Sequence, residues 1–429
     1  MKIHERSILK IVAGIDQVAR LFLNPSHPLR KEAESALTQT SSKEMAQFII
    51  EDCFSKLTSR SLLELLTEEL GDPLMLDVFR PKRNGSGLTR AYGPRIITHI
   101  LPSNVPSISV ISLVCALLVK SNSIAKISEK DSTPSLAELF VRGLQSVDDT
   151  LAQSITLGSW EHEQTSRVLQ PGEQSEHLGG ATRAPIIDAF HRAELVILYG
   201  SDETIDALCP HIPPATRVIV HGPKVSLGIV SRDMISRQVA QDAAWDIALY
   251  DQSGCLSPHL YYVEEAGKDA PIVFAQWVAE GLEKIPLPKG LASLTAGSAI
   301  QQLRGAIPLR GGAVFASKEG LDWTVLYDPD PVFSSSPLSR TVFIKPIKAL
   351  SDLGPYLEPV SPYLQAVGIA APPARMEGML HQLGLLGANR ICPIGKMQKP
   401  LLTWHHDGRF RILDLLRFVD WEEGAVPPL

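Results

Sequence analysis

The chain has 429 residues, 44% hydrophobic and 21% charged, with 41 Lys+Arg against 47 Asp+Glu and a formal net charge of -6. That length supports two or three domains with real hydrophobic cores. The composition excludes a disordered chain, and without a basic run there is no footprint for nucleic acid.

Five cysteines, Cys53, Cys115, Cys209, Cys255 and Cys392, are odd in number and scattered. The N-terminal MKIHERSILKIVAGIDQ has no signal-peptide apolar region of useful length. Reduced thiols in a cytoplasmic protein are therefore expected. No CxxC or clustered Cys/His spacing suggests a metal. The most apolar window, Ile108 to Val119, is too short to span a membrane and predicts a buried helix.

In chain order, residues 1 to about 90 predict helices, since SSKEMAQFIIEDCFSKL and SLLELLTEEL carry apolar residues at three- and four-residue spacing. PKRNGSGL (81–88) reads as a loop. RIITHIL predicts a strand, LPSNVPS a rigid turn, Ser107–Lys120 a helix and SIAKIS a short strand. TPSLAELFVRGLQSV predicts a helix with Thr133 as cap before proline.

AELVILYG then predicts a strand, SDETIDAL a helix opening on capping residues, and TRVIVHG and VSLGIV two strands. MISRQVAQDAAWDIALYDQ reads as one long helix that delivers the chain to Gly254 and Cys255. Beyond it come a helix at IVFAQWVAEGLEKI and strands at RGGAVFAS, WTVLYDP and RTVFIKPI. The stretch ANRICPIGKMQKPLLTWHHDGRFRILDLLRFVD is expected to be loop-rich and then helical. Strands alternating with helices predict parallel sheets of α/β type.

Four short stretches bear on chemistry. Cys255 follows a glycine, which lets a backbone approach a substrate closely, and a thiolate is a strong nucleophile. The ordinary fate of a free cysteine is burial, and that reading is taken for Cys53, Cys115 and Cys209. Asn104 lies between two prolines that restrict the turn, so its amide N–H can be presented at a fixed point, as an oxyanion donor requires. In AKISEK, Lys126 and Glu129 follow a strand at a spacing that can meet a ribose. At Gly200-Ser201 a strand runs into a helix start, which suits a phosphate, although no GxGxxG is present.

The order of these pieces resembles the aldehyde dehydrogenase superfamily from about His99 to Met397. More narrowly, HILPSNVPSISVISLVCALLVKS, LYGSDETI, HGPKVSLGIV, YDQSGCLSPH, RTVFIKPI and RICPIGKMQ…WHHDG resemble the fatty acyl-CoA reductases of bacterial bioluminescence systems and their non-luminous relatives. The resemblance implies a nucleotide-binding α/β domain over 1–221 and a catalytic α/β domain over 222–398. It also implies a tail over 399–429 that packs on the core or between subunits, and an active site in the cleft between the domains. Cys255 would be the acylated nucleophile, and Asn104 with the Cys255 N–H the oxyanion hole. Lys126, Ser128 and Glu129 would lie at the adenosine ribose, and Gly200 and Ser201 at the cofactor pyrophosphate.

The expected activity is NAD(P)H-dependent reduction of an acyl thioester, acyl-CoA above all, with NADPH favoured and NADH the other donor. The acyl group could instead come from a carrier protein or a partner acyl-protein synthetase, and a homo-oligomer is expected. A cysteine acyltransferase or thioesterase without nicotinamide chemistry is the more distant alternative. His221 and His259 are the acid/base candidates; either could equally be a strand-end histidine bonded to backbone. WHHDG reads as a structural turn. Two departures from the ordinary dehydrogenase pattern stand out. Val220 in VHGPK replaces the glutamate that activates water, and Thr341-Val342-Phe343-Ile344-Lys345-Pro346 lacks the glutamate that holds the nicotinamide ribose.

Overall fold

The computed structural model describes residues 2–82, 85–102, 104–127, 133–158, 186–290 and 293–422. They divide into two compact units: Met1–Ala36 with Ile49–Gly222 and Arg409–Leu429, and Leu37–Phe48 with Pro223–Gly408. The change of unit at Gly222/Pro223 falls one residue from the expected boundary. Two pieces are assigned otherwise than expected: Leu37–Phe48 joins the second unit, and the tail is divided at Gly408.

In the first unit, β1 (Arg80–Pro81) and β2 (Leu88–Tyr92) make a hairpin across the predicted loop. They are followed by β3 (Ile96–Ile100), β4 (Asn122–Lys126), β5 (Ile155–Gly158), β6 (Leu195–Tyr199) and β7 (Arg217–His221). The last five form one parallel sheet in the order β5-β4-β3-β6-β7. From β3 the chain first winds outward through β4 and β5, then returns to the other side for β6 and β7. The winding direction therefore reverses between β3 and β6.

The predicted apolar helix is present as Pro106–Leu118, with proline in its first turn, and is largely buried. The next helix, Leu136–Val147, is capped by Ser135 rather than Thr133. The Ser135 side chain accepts from the Glu138 N–H while Glu138 reaches back to the Ser135 N–H, a capping box that supplies two orphan bonds where Thr133 would supply one.

In the second unit, β8 (Val225–Val230), β9 (Pro258–Glu264), β10 (Ala313–Ala316), β11 (Thr324–Tyr327), β12 (Thr341–Ile347), β13 (Leu364–Ala370) and β14 (Arg390–Pro393) form one sheet. Its order is β10-β11-β12-β9-β8-β13-β14, parallel except for β10. Side chains alternate between its faces. Tyr261, Val263, Val342 and Ile344 pack under helices Arg237–Ala248 and Ala270–Lys284. Leu260, Tyr262 and Phe343 face a second core that includes Met379 and Leu383. Covering both faces is why these strands read as almost continuous apolar runs. Gly228 is required where it stands: a Cβ there would lie 2.0 Å from the Tyr261 ring.

The C-terminus departs from expectation. Where a helix was expected, Arg417–Trp421 form strand β15, which pairs antiparallel with β2. The Arg217 guanidinium ties the turn before it by donating to the carbonyls of Asp414, Leu415 and Leu416, and Glu69 accepts from the N–H groups of Arg411, Ile412 and Leu413. Among the described residues, no helix is long and apolar enough to cross a membrane.

Candidate active site

The five cysteines differ in burial. Cys53 and Cys115 are buried, and burial raises both thiols, Cys115 to about 11. Cys392 is half-buried and also pushed up to about 11. Cys209 is half-buried, not buried as expected. Cys255 is half-buried like Cys209 and Cys392, and differs from them in its place, the turn that leads into β9.

That turn is built under strain. The preceding helix stops at Ala248, not near Gln252 as the sequence suggested. Tyr250, Asp251 and Gln252 then take three successive left-handed conformations, with φ of 55°, 49° and 64°. Each costs roughly 1–2 kcal/mol for a residue with a Cβ, so the surroundings must over-determine the turn. They do so at each residue. The Tyr250 N–H points to the Met45 sulfur at 3.3 Å, and its ring packs edge-on to Phe48. Asp251 accepts from the Gly290 N–H at 3.0 Å and pairs with Arg340 at 2.6 Å. Gln252, fully buried, donates to the carbonyls of Pro258 and Thr341 and accepts from the Thr341 N–H at 2.7 Å.

Arg340 is itself the last of a second left-handed run, Leu338, Ser339 and Arg340, with φ of 62°, 56° and 56°. It also donates to the Leu287 carbonyl at 2.7 Å. The two strained runs are thus joined by one ion pair and one buried glutamine.

Downstream, Gly254 and Ser257 close the cysteine turn on each other, through Gly254 N–H to Ser257 Oγ and Ser257 N–H to Gly254 O. The Cys255 carbonyl accepts from Ser226 Oγ of β8 at 2.7 Å. Gln398 donates to Ser257 Oγ at 2.7 Å and to the Asp246 carbonyl at 3.2 Å. The Asp246 carboxylate accepts from the N–H groups of Gly395 and Met397, and burial, outweighing those bonds, raises it to about 7.

His259 lies on β9, four residues past the thiol. Its Nδ1 accepts from the Ser336 N–H at 3.1 Å, which leaves the proton of the neutral ring on Nε2. Burial lowers this imidazole to about 4, so it is uncharged near neutrality.

The remaining candidates gather at one edge of the first unit. Asn104 is exposed in the bend after β3, Lys126 is the last residue of β4, and Gly200-Ser201 follows β6. His221 ends β7, its ring stacked on Tyr199 with centroids 4.4 Å apart. Ser201 caps the next helix by accepting from the Thr204 N–H. All lie at the carboxyl ends of parallel strands, and Asn104 and Gly200 leave from β3 and β6, the two strands that flank the winding reversal. Crevices of this kind hold nucleotides in open parallel sheets. Ser128 and Glu129 lie outside the described residues.

Sequence reasoning missed Gln252, Asp251 and Arg340. The usable signal was a polar Asp-Gln pair between an aromatic residue and Ser-Gly, where the helical pattern loses its apolar stripe.

The model of the family described as acyl-CoA reductase (LuxC) matches residues 3–172 and 180–418. Similar curated proteins include the long-chain acyl-protein thioester reductase of Aliivibrio fischeri, 26% identical over 387 residues, 89% of this chain and 75% of that protein. Another is long-chain acyl-protein thioester reductase 2 of Photobacterium leiognathi, 26% identical over 394 residues, 90% of this chain and 76% of that protein.

Among solved structures, the NAD-dependent benzaldehyde dehydrogenase of Corynebacterium glutamicum superposes with a TM-score of 0.70 at 12% identity, covering 99% of this chain and 86% of that one. Lactaldehyde dehydrogenase of Escherichia coli gives 0.71 at 12% identity, over 98% and 87%. Glyceraldehyde-3-phosphate dehydrogenase GapN of Methanocaldococcus jannaschii, complexed with NADP, gives 0.69 at 11% identity, over 98% and 90%. The fold is that of aldehyde dehydrogenases.

Proposed function

The chain belongs to the acyl-CoA reductase (LuxC) family, and from that premise we propose that it reduces a fatty acyl thioester to the aldehyde through an acyl group carried on Cys255. The observation that carries this reading is the partly accessible thiol that follows a turn locked left-handed by buried bonds. A scaffold protein has no use for such strain, whereas a nucleophile that must hold one attack geometry does.

On this reading the Cys255 thiolate adds to the thioester carbonyl. The negative oxygen so formed is met by the Asn104 amide and the Cys255 N–H, each such donor being worth about 10²–10³ in rate. Collapse expels the donor thiol and leaves an acyl-cysteine. Exchange of one thioester for another is nearly balanced, so this half-reaction needs little driving force. When bound, the nicotinamide supplies the hydride that converts the acyl-cysteine to the level of a thiohemiacetal. Breakdown of that adduct releases the aldehyde and restores the thiolate.

Lys126, Gly200 and Ser201, with Ser128 and Glu129, are the residues we assign to the dinucleotide, and the carboxyl-edge crevice at the winding reversal suits one. NADPH is the expected donor, and NADH the alternative. His221 and His259 remain the candidates for proton delivery. Since His259 Nδ1 is already an acceptor, that ring can donate only from Nε2. Val220 puts an isopropyl group where a water-activating carboxylate would stand, in keeping with an acyl-enzyme that ends as aldehyde and not as acid.

The acyl donor is CoA in the first reading. A second reading takes the acyl group from a protein thioester, and the names of the curated relatives favour it. The test is turnover with long-chain acyl-CoA and with acyl-carrier thioester, each with NADPH and NADH, followed by nicotinamide absorbance and aldehyde trapping. With the nicotinamide omitted, mass spectrometry should find the acyl group on Cys255. Cys255→Ala turning over at the parent rate would overturn the proposal.

A further inference from the structure

The same five-stranded sheet carries a second cavity at its other end. It has a volume of 670 Å³, within the range of small-molecule sites. Arg95 just before β3, Asn122 at the start of β4 and Ser154 just before β5 line it, so it opens at the amino ends of the strands. Five-residue strands put that edge roughly 15 Å from the carboxyl edge.

The lining is strongly basic in a chain of net negative charge. Lys2, Arg90, Arg95, Lys120 and Arg417 contribute to it, and among the described residues no Asp or Glu does. Two of these cations are already satisfied, Lys120 by Asp77 and Arg95 by Glu194. Arg90 and Arg417 are less committed: among the described residues no carboxylate or carbonyl hydrogen-bonds either guanidinium, and Glu194, already bonded to Arg95, acts on Arg417 only through space.

The sheet register puts these two arginines together. Arg417 of β15 is directly opposite Tyr92 of β2, and Arg90 precedes Tyr92 by two residues, on the same face. Both guanidinium carbons stand over the Tyr92 ring, at 4.8 Å and 5.1 Å from its centroid. The tyrosine partly offsets two neighbouring like charges and fixes their planes. Their N–H edges remain for a ligand.

We propose that this cavity binds a phosphorylated small molecule through its diphosphate or phosphate-ester group, held by Arg90 and Arg417, at a site separate from the nucleotide edge. Guanidinium forks match phosphate oxygens in pairs. The volume exceeds what inorganic phosphate alone would fill, so the phosphate is expected to carry an organic group.

The test is calorimetric titration of the full-length protein, without acyl donor, by pyrophosphate, ADP and free CoA. NADPH is left out, because it carries the same groups; the Arg90 and Arg417 variants tell this cavity from the nucleotide edge. One saturable site for pyrophosphate is expected, weakened by salt. Arg90→Gln and Arg417→Gln should each raise Kd about tenfold, and Arg90→Lys, which keeps charge but loses the fork, by less. Arg60→Gln, an exposed helix charge elsewhere, should leave Kd unchanged. Equal binding of ADP and CoA would assign the shared diphosphate, and tighter CoA would assign a thioester carrier. Circular dichroism of each variant separates lost binding from lost folding.

The proposal is overturned if the wild-type protein gives no heat with any of the three. It is equally overturned if a correctly folded Arg90→Gln/Arg417→Gln double variant binds as well as the parent. Loss of oligomeric mass in that variant, with no anion binding in the parent, would make the cavity a contact between copies and also end the proposal.

Discussion

Gln252 pairs with Thr341 as one strand residue pairs with another: its Oε1 accepts from the Thr341 N–H and its Nε2 donates to the Thr341 carbonyl, both at 2.7 Å. Thr341 opens β12, so a side-chain amide from the cysteine turn completes the end of a strand far away in sequence. The same Nε2 also reaches the Pro258 carbonyl at the start of β9. A glutamine can do this because it alone offers a donor and an acceptor on one flat group at that reach.

Gln252→Ala should therefore remove a partner from three buried backbone groups, about 1–3 kcal/mol for any left dry; the Thr341 N–H keeps the Leu338 carbonyl and the Thr341 carbonyl keeps Ser336 Oγ, which softens the loss. Gln252→Glu keeps the shape but cannot donate to the two carbonyls, so it should be nearly as damaging. Both variants should lower kcat by about 10² or more through misplacement of the thiol. The rate of Cys255 alkylation by iodoacetamide, read beside kcat, reports that displacement. Unchanged alkylation and kcat in a folded Gln252→Ala would show that the turn holds its geometry without the glutamine.

The ion pair between Asp251 and Arg340 spans the two left-handed runs, with side chains 19% and 5% exposed. Removing one partner leaves the other buried and uncompensated, which typically costs 3–5 kcal/mol. Asp251→Ala and Arg340→Ala should each unfold at much lower urea. The double variant should be less destabilised than the sum, because it strands no charge. Arg340→Lys should fall between, since lysine cannot serve Asp251 and the Leu287 carbonyl with one rigid fork. Strict additivity in the urea midpoints would count against a coupled pair.

These residues also mark what the sequence could and could not reveal. Leu195–Tyr199 and Val225–Val230 were legible because parallel strands covered on both faces must be apolar throughout. Cys255 could be singled out as a candidate nucleophile through its glycine and its place before a strand. The left-handed turn was not, because Tyr250, Asp251 and Gln252 carry no local signature for positive φ. Met45, Phe48, Gly290, Arg340 and Thr341 impose it from distant positions. Strand β15 failed for a similar reason. RFVDW is short and mostly exposed, and it becomes a strand only because Leu88–Tyr92 offers an edge from far upstream.

Three buried groups set stability against pH below about 7. His259 is held neutral down to about 4 and His99 down to about 3, while their unfolded forms protonate near 6.5. Their contribution is present above 6.5 and is lost as pH falls through that range. Asp246 is held protonated up to about 7, while its unfolded form ionises near 3.8. Its contribution is present below 3.8 and is lost as pH rises towards 7. Each is on the order of 3–5 kcal/mol by linkage, so the two histidines together outweigh Asp246 and the parent should lose stability as pH falls from 7 to 4. His259→Asn should remove one histidine's share and leave His99 nearly balanced against Asp246, flattening the urea midpoints across that range. A His259→Asn profile as steep as the parent's would mean that His259 is not held neutral in the folded protein.

Lys126 ends β4 at the edge assigned to the nucleotide, two strands from the Gly200 turn. If its ammonium meets a 2′-phosphate, Lys126→Ala should raise KM for NADPH about tenfold, the worth of roughly 1.4 kcal/mol, and leave KM for NADH and both kcat values close to the parent. Lys126→Arg, which keeps a cation at the same reach, should restore most of the NADPH affinity. An equal rise in both KM values would instead place Lys126 at the ribose hydroxyls common to the two cofactors. The companion variant Glu129→Gln then discriminates further. A carboxylate at a free 2′-hydroxyl favours NADH, whereas the same carboxylate beside a 2′-phosphate repels it. Glu129→Gln should thus weaken NADH and strengthen NADPH, and the product of the two shifts measures how far this one edge sets the choice of cofactor.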